Sequence, residues 1–523
     1  MRARGACLAL LTGFAGALVA DAQGAGPRGK VVYDKWGAGC HGETGGGDGD
    51  GATAMLPRPR DFTRGVYKIR TTASGEIPTD DDLLHVISEG MPGTAMPAWK
   101  AKLSEAERRD VVTYIKSFSS FFASGKAKSI AVGKEPGGGD QAIADGKATF
   151  TKLECAKCHG PNGRGDGKSA PTLKDDWGHP IRAADLTENW KFRGGNDVQS
   201  IYTRLRTGLD GTPMPSFTDA IDQKLITDDQ LWHVAAYVRS LSPEQPQVRE
   251  VIRARLVATL PSTPDDGAWA QAERYWIPVV GQVITKPRWF VPTVDGVWVQ
   301  AMHDGKRVAL RLVWDDPSSS PAPAWSEWLN RLDTTVTTAD GPPPAQQGPD
   351  RLTVQWPQRP GGDDTERPYF LGGNARRPVQ HWRWTSVPDR VEVGTAKGLG
   401  SFTADAAADS VGHVARYDSG QWRLQLVRVL RQRDTTNGPV FVPGRAVPVA
   451  FFVADGSNGE DDVRSAVSTW YAIHLDVPTP ARVYAVPAVT VLLTAGLGML
   501  LVTRAQRREL PPPSGQSESE ARS

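Results

Sequence analysis

The sequence predicts a multidomain chain: two small all-α domains, then an all-β sandwich domain, then one C-terminal transmembrane helix. Three observations lead there. A stretch of about 100 residues in the N-terminal half occurs twice, with helix-like periodicity in each copy. Short alternating segments separated by Gly, Pro and Asp fill the region from 249 to 480. Val483 to Val502 is then a run of 20 uncharged residues, the length of a bilayer core.

The two ends come first. Arg2 and Arg4 precede an apolar run from Ala6 to Ala20, and Ala20-Asp21-Ala22 fits the small-x-small cleavage rule. Residues 1–22 therefore read as a signal peptide that removes Cys7. At the other end, Arg482 stands alone before the span, while Arg504, Arg507 and Arg508 follow it. The positive-inside rule then places the tail, 503–523, in the cytoplasm. The body is expected on the periplasmic side of a bacterial inner membrane, held by a single pass. Lys and Arg total 61 against 59 Asp and Glu, a net charge of +2, so no basic field points to nucleic acid. With Cys7 removed, three cysteines remain, too few for a disulfide scaffold.

Those three cysteines sit in the repeat. Cys155-Ala156-Lys157-Cys158-His159 is a C-x-x-C-H motif, the pattern of covalent c-type haem attachment. Two thiols add to the haem vinyl groups, and the adjacent imidazole turns onto the iron. Moving back 118 positions gives Cys40 and His41, and carries Gly160, Gly163, Gly165, Asp166 and Gly167 onto Gly42, Gly45, Gly47, Asp48 and Gly49. Met214-Pro215 falls on Met96-Pro97, inside GTPMPSF and GTAMPAW. The His-to-Met separation is 55 residues in both copies. Met96 and Met214 are therefore the expected sixth ligands, since His and Met form a known axial pair. Met91 competes with Met96 but lacks the register match. The position matching Cys155 is Gly37, so the first haem hangs from Cys40 alone, is held without a covalent link, or has been lost. The retained His41, glycine loop and Met96 favour a single thioether.

Helices are expected over 29–36 and 141–153 before the motifs. Closing helices are expected over 103–119 and 226–242, with Ser104 and Glu107 as a capping box. The repeated YKIR and WKFR offer Arg70 and Arg193 either to haem propionates or to solvent. The boundaries are 26–120 for the first domain, 121–140 for a linker and 141–245 for the second. The motif, loop and Met-Pro pattern resembles the class I cytochrome c family in tandem, over about residues 26 to 245. That resemblance implies single-electron transfer without bond chemistry.

In 249–480, strands are expected over 297–303, 307–314, 351–356, 421–430 and 447–455, read as an antiparallel sandwich or barrel. DGKRVALRLVWDD (304–316) and YDSGQWRLQLVRVL (417–430) resemble the haem-binding gamma subunit of ethylbenzene dehydrogenase and its relatives. The resemblance implies one b-type haem between a Met and a Lys, and a molybdenum/iron–sulfur oxidoreductase as partner. Met302 is the only Met between Met214 and Met499. Lys397 lies in the glycine-rich GTAKGLGS. These two are the expected ligands, with His303, His381 or His413 as substitutes.

The expected function is electron relay rather than catalysis. A membrane-anchored periplasmic subunit would pass electrons between the molybdenum/iron–sulfur partner and a soluble cytochrome or membrane oxidase. It would carry two c-type haems and a b-type haem. The alternative is a dihaem cytochrome whose β-domain is a haem-free docking module.

Overall fold

The computed structural model describes residues 25–124, 127–337, 339–341, 346–358, 371–430, 438–478 and 480–509. The expected signal peptide and the last 14 residues of the tail, 510–523, lie outside these.

Each repeat forms a small helical domain around the same crossing. In the first, helix Ala25–Trp36 packs on helix Glu105–Lys116. In the second, Gly139–Lys152 packs on Asp228–Ser240. A glycine sits at each crossing. A Cβ on Gly29 would lie 2.1 Å from the Asp110 carbonyl oxygen, and one on Gly146 would lie 2.0 Å from that of His233. No other residue lets the backbones approach so closely. The closing helices start with full capping boxes, Ser104 with Glu107 and Thr227 with Gln230. Each domain adds a helix that the sequence reading did not place, Asp80–Glu89 and Val198–Thr207, capped by Thr79 and Asp197.

The second half is a β-domain interrupted, among the described residues, by one α-helix, Ser326–Thr335. All five expected strands form, within a residue or so of their expected limits. The strand order along the sheet is Gly412–Asp418, Gln421–Val429, Arg307–Asp315, Gly296–His303, Val251–Leu256, Tyr471–Leu475, Ala446–Ala454, Arg351–Pro357, Val379–Ser386, Asp389–Ala396 and Thr403–Ala404. Strand Ala446–Ala454 turns the corner. Its first half pairs with Tyr471–Leu475, its second half with Arg351–Pro357. The two faces close over a core of Val297, Val299, Leu310, Leu312, Trp356 and Trp382.

One expectation is corrected. The sheet is mixed, not purely antiparallel. Val251–Leu256 runs parallel to both Gly296–His303 and Tyr471–Leu475. It enters directly from the second helical domain and slots between two strands, with Ile252 and Ala254 fully buried.

At the C-terminus, helix Arg482–Glu509 contains the expected span. It is long and apolar enough to cross a membrane and none of its apolar stretch is buried against the protein.

Candidate haem sites and the seams around them

In the second domain, Glu154 adopts a left-handed φ of 58° after the first helix. The chain then enters the short turn Ala156–His159, which carries Cys158 and His159 just after Cys155. His159 Nδ1 lies 2.9 Å from the Ala184 carbonyl oxygen. A carbonyl can only accept, so Nδ1 carries the proton and Nε2 keeps its lone pair. That is the tautomer and orientation an iron-ligating imidazole needs. Burial holds the ring below its ordinary pKa, hence neutral. The glycine loop folds back over the motif. A Cβ on Gly160 would lie 1.7 Å from Asp166 Oδ1, and one on Gly167 would lie 2.3 Å from the Lys157 carbonyl. On the other side, the Leu209 amide donates to the Met214 carbonyl (3.1 Å), and Met214 is half-buried beside the core of Phe150, Leu205 and Trp232. The Cys155 thiol is pushed up to about 11 by burial, and Cys158 is raised for the same reason.

The first domain repeats this. His41 Nδ1 donates to the Arg60 carbonyl at 2.9 Å. The Met91 amide donates to the Met96 carbonyl at 3.0 Å. Met91 thus stands where the second domain has Leu209, and Met96 where it has Met214. Cys40 is half-buried and its thiol is likewise raised. At Gly37, a Cβ would lie 2.9 Å from Tyr33 Cδ2. The Tyr33 ring crowds the place where Cys155 stands in the other copy, and its hydroxyl donates to the Gly42 carbonyl at 2.6 Å.

The equal His-to-Met separations hide two compensating gaps. The carbonyls that hold the histidines, Arg60 and Ala184, are 124 positions apart, not 118. The second copy gains residues before Ala184 and loses them before the cap Asp197. The gained stretch includes Trp177, whose ring lies 4.8 Å from the Arg60 guanidinium carbon.

The two helical domains meet at a cationic seam. Arg70 is fully buried there and does not point at a free site. Its guanidinium donates to the carbonyls of Thr207 (2.7 Å), Tyr67 (2.9 Å) and Ala73 (3.2 Å) and pairs with Asp210 at 2.7 Å. The expectation of Arg70 as a propionate contact is therefore corrected: it clamps the Met214 loop of the other domain. Ser74 and the Gly75 amide also donate to Asp210. Arg193, its repeat counterpart, is in a different position. It lies near Lys68, whose ammonium is pushed down to about 7 by burial first, then by Arg60 and Arg193. Arg204 is brought to about 10 by burial, and its Nε and Nη1 have no hydrogen-bond partner. Half-buried cations that make no ion pair among the described residues fit the carboxylates of haem propionates. Lys68, Arg193 and Arg204 are the residues here that would hold them.

A second seam joins the second domain to the β-domain. Arg164, in the glycine loop, pairs with Asp315 at 3.0 Å and donates to the Ser419 carbonyl. Arg182 donates to Thr293 Oγ1 and Asn458 Oδ1, over the Trp328 ring. Trp190 packs edge-on against Trp276.

Within the β-domain, Met302 and Lys397 are not brought together. Ala301 faces the inter-sheet core, so Met302 faces outward, buried under Leu260, Trp269 and Ala272. Lys397 is exposed in the turn after Asp389–Ala396, on the other sheet. A lysine that ligates iron has to be buried to lose its proton. The three histidines are also engaged through Nε2: His303 with the Asp476 carbonyl, His381 with Gln355 Oε1, and His413 with Asp389.

Comparison with known proteins agrees with the helical half. Residues 143–242 match the family model Cytochrome c, and residues 24–115 match Cytochrome C oxidase, cbb3-type, subunit III. A Haloferax mediterranei protein named as respiratory nitrate reductase heme subunit ORF7 is 27% identical over 252 residues, 48% of this chain and 82% of its own. The dimethylsulfide dehydrogenase subunit gamma of Rhodovulum sulfidophilum is 25% identical over 247 residues, 45% of this chain and 82% of its own. A chain of the Kuenenia stuttgartiensis reducing HAO-like protein complex Kustc0457/Kustc0458 is 47% identical. The match covers 41% of this chain and 96% of that one, with a TM-score of 0.39.

Proposed function

We propose, for a chain that carries cytochrome c domains over 24–115 and 143–242, that it is an electron-transfer subunit of a membrane-bound oxidoreductase complex. The observation that carries this reading is the paired histidine geometry. Both copies fix Nδ1 on a backbone carbonyl at 2.9 Å and leave Nε2 free, and both place a Met-Pro loop in the same register. A haem, when bound, supplies uptake and release of one electron. The chain's own residues do the rest. His41 and Met96 would hold one iron, and His159 and Met214 the other. Cys155 and Cys158 would tie one haem by two thioethers, and Cys40 the other by one. Lys68, Arg193 and Arg204 would neutralise propionate charge, which otherwise opposes reduction. Arg70 holds the Met214 loop against the first domain, keeping the two sites at fixed separation.

Two relatives are named for subunits of nitrate reductase and dimethylsulfide dehydrogenase, which supports an oxidoreductase as partner. Together with the resemblance of the β-domain, this favours a molybdenum/iron–sulfur enzyme. Electrons would pass between it and a soluble cytochrome or membrane oxidase. The apolar helix Arg482–Glu509 would anchor the body on the periplasmic side, with Arg504 to Arg508 in the cytoplasm.

A third, b-type haem finds no ligand pair at Met302 and Lys397. The reading favoured here is the two-haem one, with the β-domain as a docking module that grips the second domain through Arg164 and Arg182. Haem stoichiometry on protein from its native membrane tests it. Acid-acetone extraction is followed by pyridine haemochrome spectra of pellet and extract. Two covalent haems and none extractable is the expected result. An extractable third haem beside two covalent ones would restore a b-type site in the β-domain. A single covalent haem with none extractable would remove the first site and the relay with it.

A further inference from the structure

The ends of three strands meet under the second seam. Asp316 follows strand Arg307–Asp315, Asp350 precedes Arg351–Pro357, and Asp455 follows Ala446–Ala454. All three are buried, at 1%, 0% and 0% exposure. One carboxylate oxygen from each lies within 4.8 Å of the other two. Like charges this close in a dry interior repel strongly and lose their hydration as well. Glu460, 2% exposed, adds a fourth carboxylate beside Asp455 and donates nothing to relieve them. Arg182 is the nearby cation, but its hydrogen bonds go to Thr293 and Asn458. Among the described residues no ion pair joins it to the three aspartates.

A separate observation concerns Asp316. Asp350 and Asp455 have donors on both oxygens: Gly456, Ser320 and Trp422 for the first, Ser457 and Thr293 for the second. Asp316 Oδ1 accepts from the Ser318 amide, but Oδ2 has no partner despite complete burial. A buried carboxylate oxygen without a donor costs free energy unless something occupies it.

We infer that Asp316, Asp350 and Asp455 bind a calcium ion, with Asp316 Oδ2 as an open ligand position. The donor set is oxygen only, carboxylates with the Ser320 hydroxyl nearby, which suits a hard divalent cation. Three anionic ligands on three separate strand ends suit calcium's flexible geometry better than magnesium, which keeps its waters. The ion ties together the ends of strands from both sheets, directly below the point where Arg164 and Arg182 dock. It is a structural cation of the β-domain, separate from the haem sites.

The test uses the full chain with its haems, purified in calcium-containing buffer. Metal content is measured by mass spectrometry after desalting. One calcium per chain is expected. Chelation should lower the Tm of the β-domain by about 5–10 °C, and calcium but not magnesium should restore it. Asp316→Asn, nearly the same size, should abolish the calcium response while retaining covalent haem. Calcium absent from the purified wild-type chain, with Tm unmoved by chelation, overturns the inference and assigns the charge balance to protons. The wild-type measurement decides even where Asp316→Asn fails to fold. The readout is calcium, so it stands or falls apart from the haem count.

Discussion

Replacing Gly146 by Ala opposes two known effects and lets the crossing geometry decide between them. Alanine is the better helix former, so propensity alone would stabilise helix Gly139–Lys152 by about 1 kcal/mol. The new Cβ, however, would sit 2.0 Å from the His233 carbonyl oxygen and 2.5 Å from its carbon. That is about 1.4 Å inside the 3.4 Å at which ordinary contact begins. The obstructing atoms are backbone, so no rotamer relieves the clash and the helices must separate. Overpacking of this sort costs about 3 kcal/mol, which leaves about 2 kcal/mol of net destabilisation. For a domain of this size the Tm falls by about 10 °C. Differential scanning calorimetry of the full chain reads it, and Gly29→Ala should do the same to the first domain, against the Asp110 carbonyl at 2.1 Å. Gly26→Ala is the control: it lies in the same helix as Gly29, with nothing within 4 Å of its Cβ, so it should be neutral or mildly stabilising. A Gly146→Ala chain as stable as the wild type would refute the close-crossing argument, and with it the packing of both domains.

Three further outcomes follow from the sites. Met214→Ala should lower the reduction potential of the second haem by on the order of 0.1 V, within the roughly 0.8 V that axial ligands command; Met91→Leu should leave the first unchanged, because the repeat places Leu209 there, and redox titration separates the two. Gly37→Cys should give the first haem a second thioether, seen by mass spectrometry of haem peptides. Gly37 has an ordinary φ of −106°, so the only obstacle is the Tyr33 ring, and a chain still holding a single thioether would show that the ring does not yield. His381 is buried with its pKa lowered to about 3, by burial first and then by Arg383, so the folded protein keeps it neutral while the unfolded chain protonates near pH 6.5. The stability it contributes is present above pH 6.5 and is lost as pH falls toward about 3, at up to about 1.4 kcal/mol per pH unit. Urea unfolding of the β-domain across that window should show the slope, and His381→Gln should flatten it.

Much of the helical half was legible because its information is local. The C-x-x-C-H run, the glycine loop and the Met-Pro turn each lie within a few residues, and the fold sets them in the same register twice. The Asp80–Glu89 helix was also written in the sequence, as Thr79 three residues before Asp82, though it was not read. Arg70 and Arg193 show where local reading stops. They occupy equivalent places in YKIR and WKFR, but Arg70 meets Asp210, which comes from the other copy. Nothing within either motif announces that partner. Met302 shows a reading that the alternation itself could have corrected. Val297, Val299 and Ala301 point into the sandwich, so Met302 shares the outer face with Trp298 and Gln300. The parallel insertion of Val251–Leu256 is a pairing between strands some 220 residues apart, which no local pattern encodes.

The seams argue for an order among the parts. The second helical domain is gripped on both sides of its own haem motif. On one side the first domain holds its Met214 loop, through Arg70, Ser74 and Gly75 on Asp210. On the other, the β-domain holds its glycine loop, through Asp315 and Ser419 on Arg164. A site clamped at both its loops changes shape little on gaining or losing an electron, and small reorganisation is what a carrier in the middle of a chain requires. The first domain is held by the β-domain as well, with Arg58 donating to the Thr335 carbonyl, the Thr337 amide donating to the Thr53 carbonyl at 2.9 Å and Leu56 packed beside Leu329 and Leu332, but its haem would hang from Cys40 alone. On the proposed function, the site with a single thioether would sit at the end that meets a mobile redox partner, and the site with two would sit next to the docked enzyme. On this argument Arg70→Met should broaden the potential of the second haem more than that of the first, although Arg70 belongs to the first domain. Equal effects on both would return Arg70 to a purely local role.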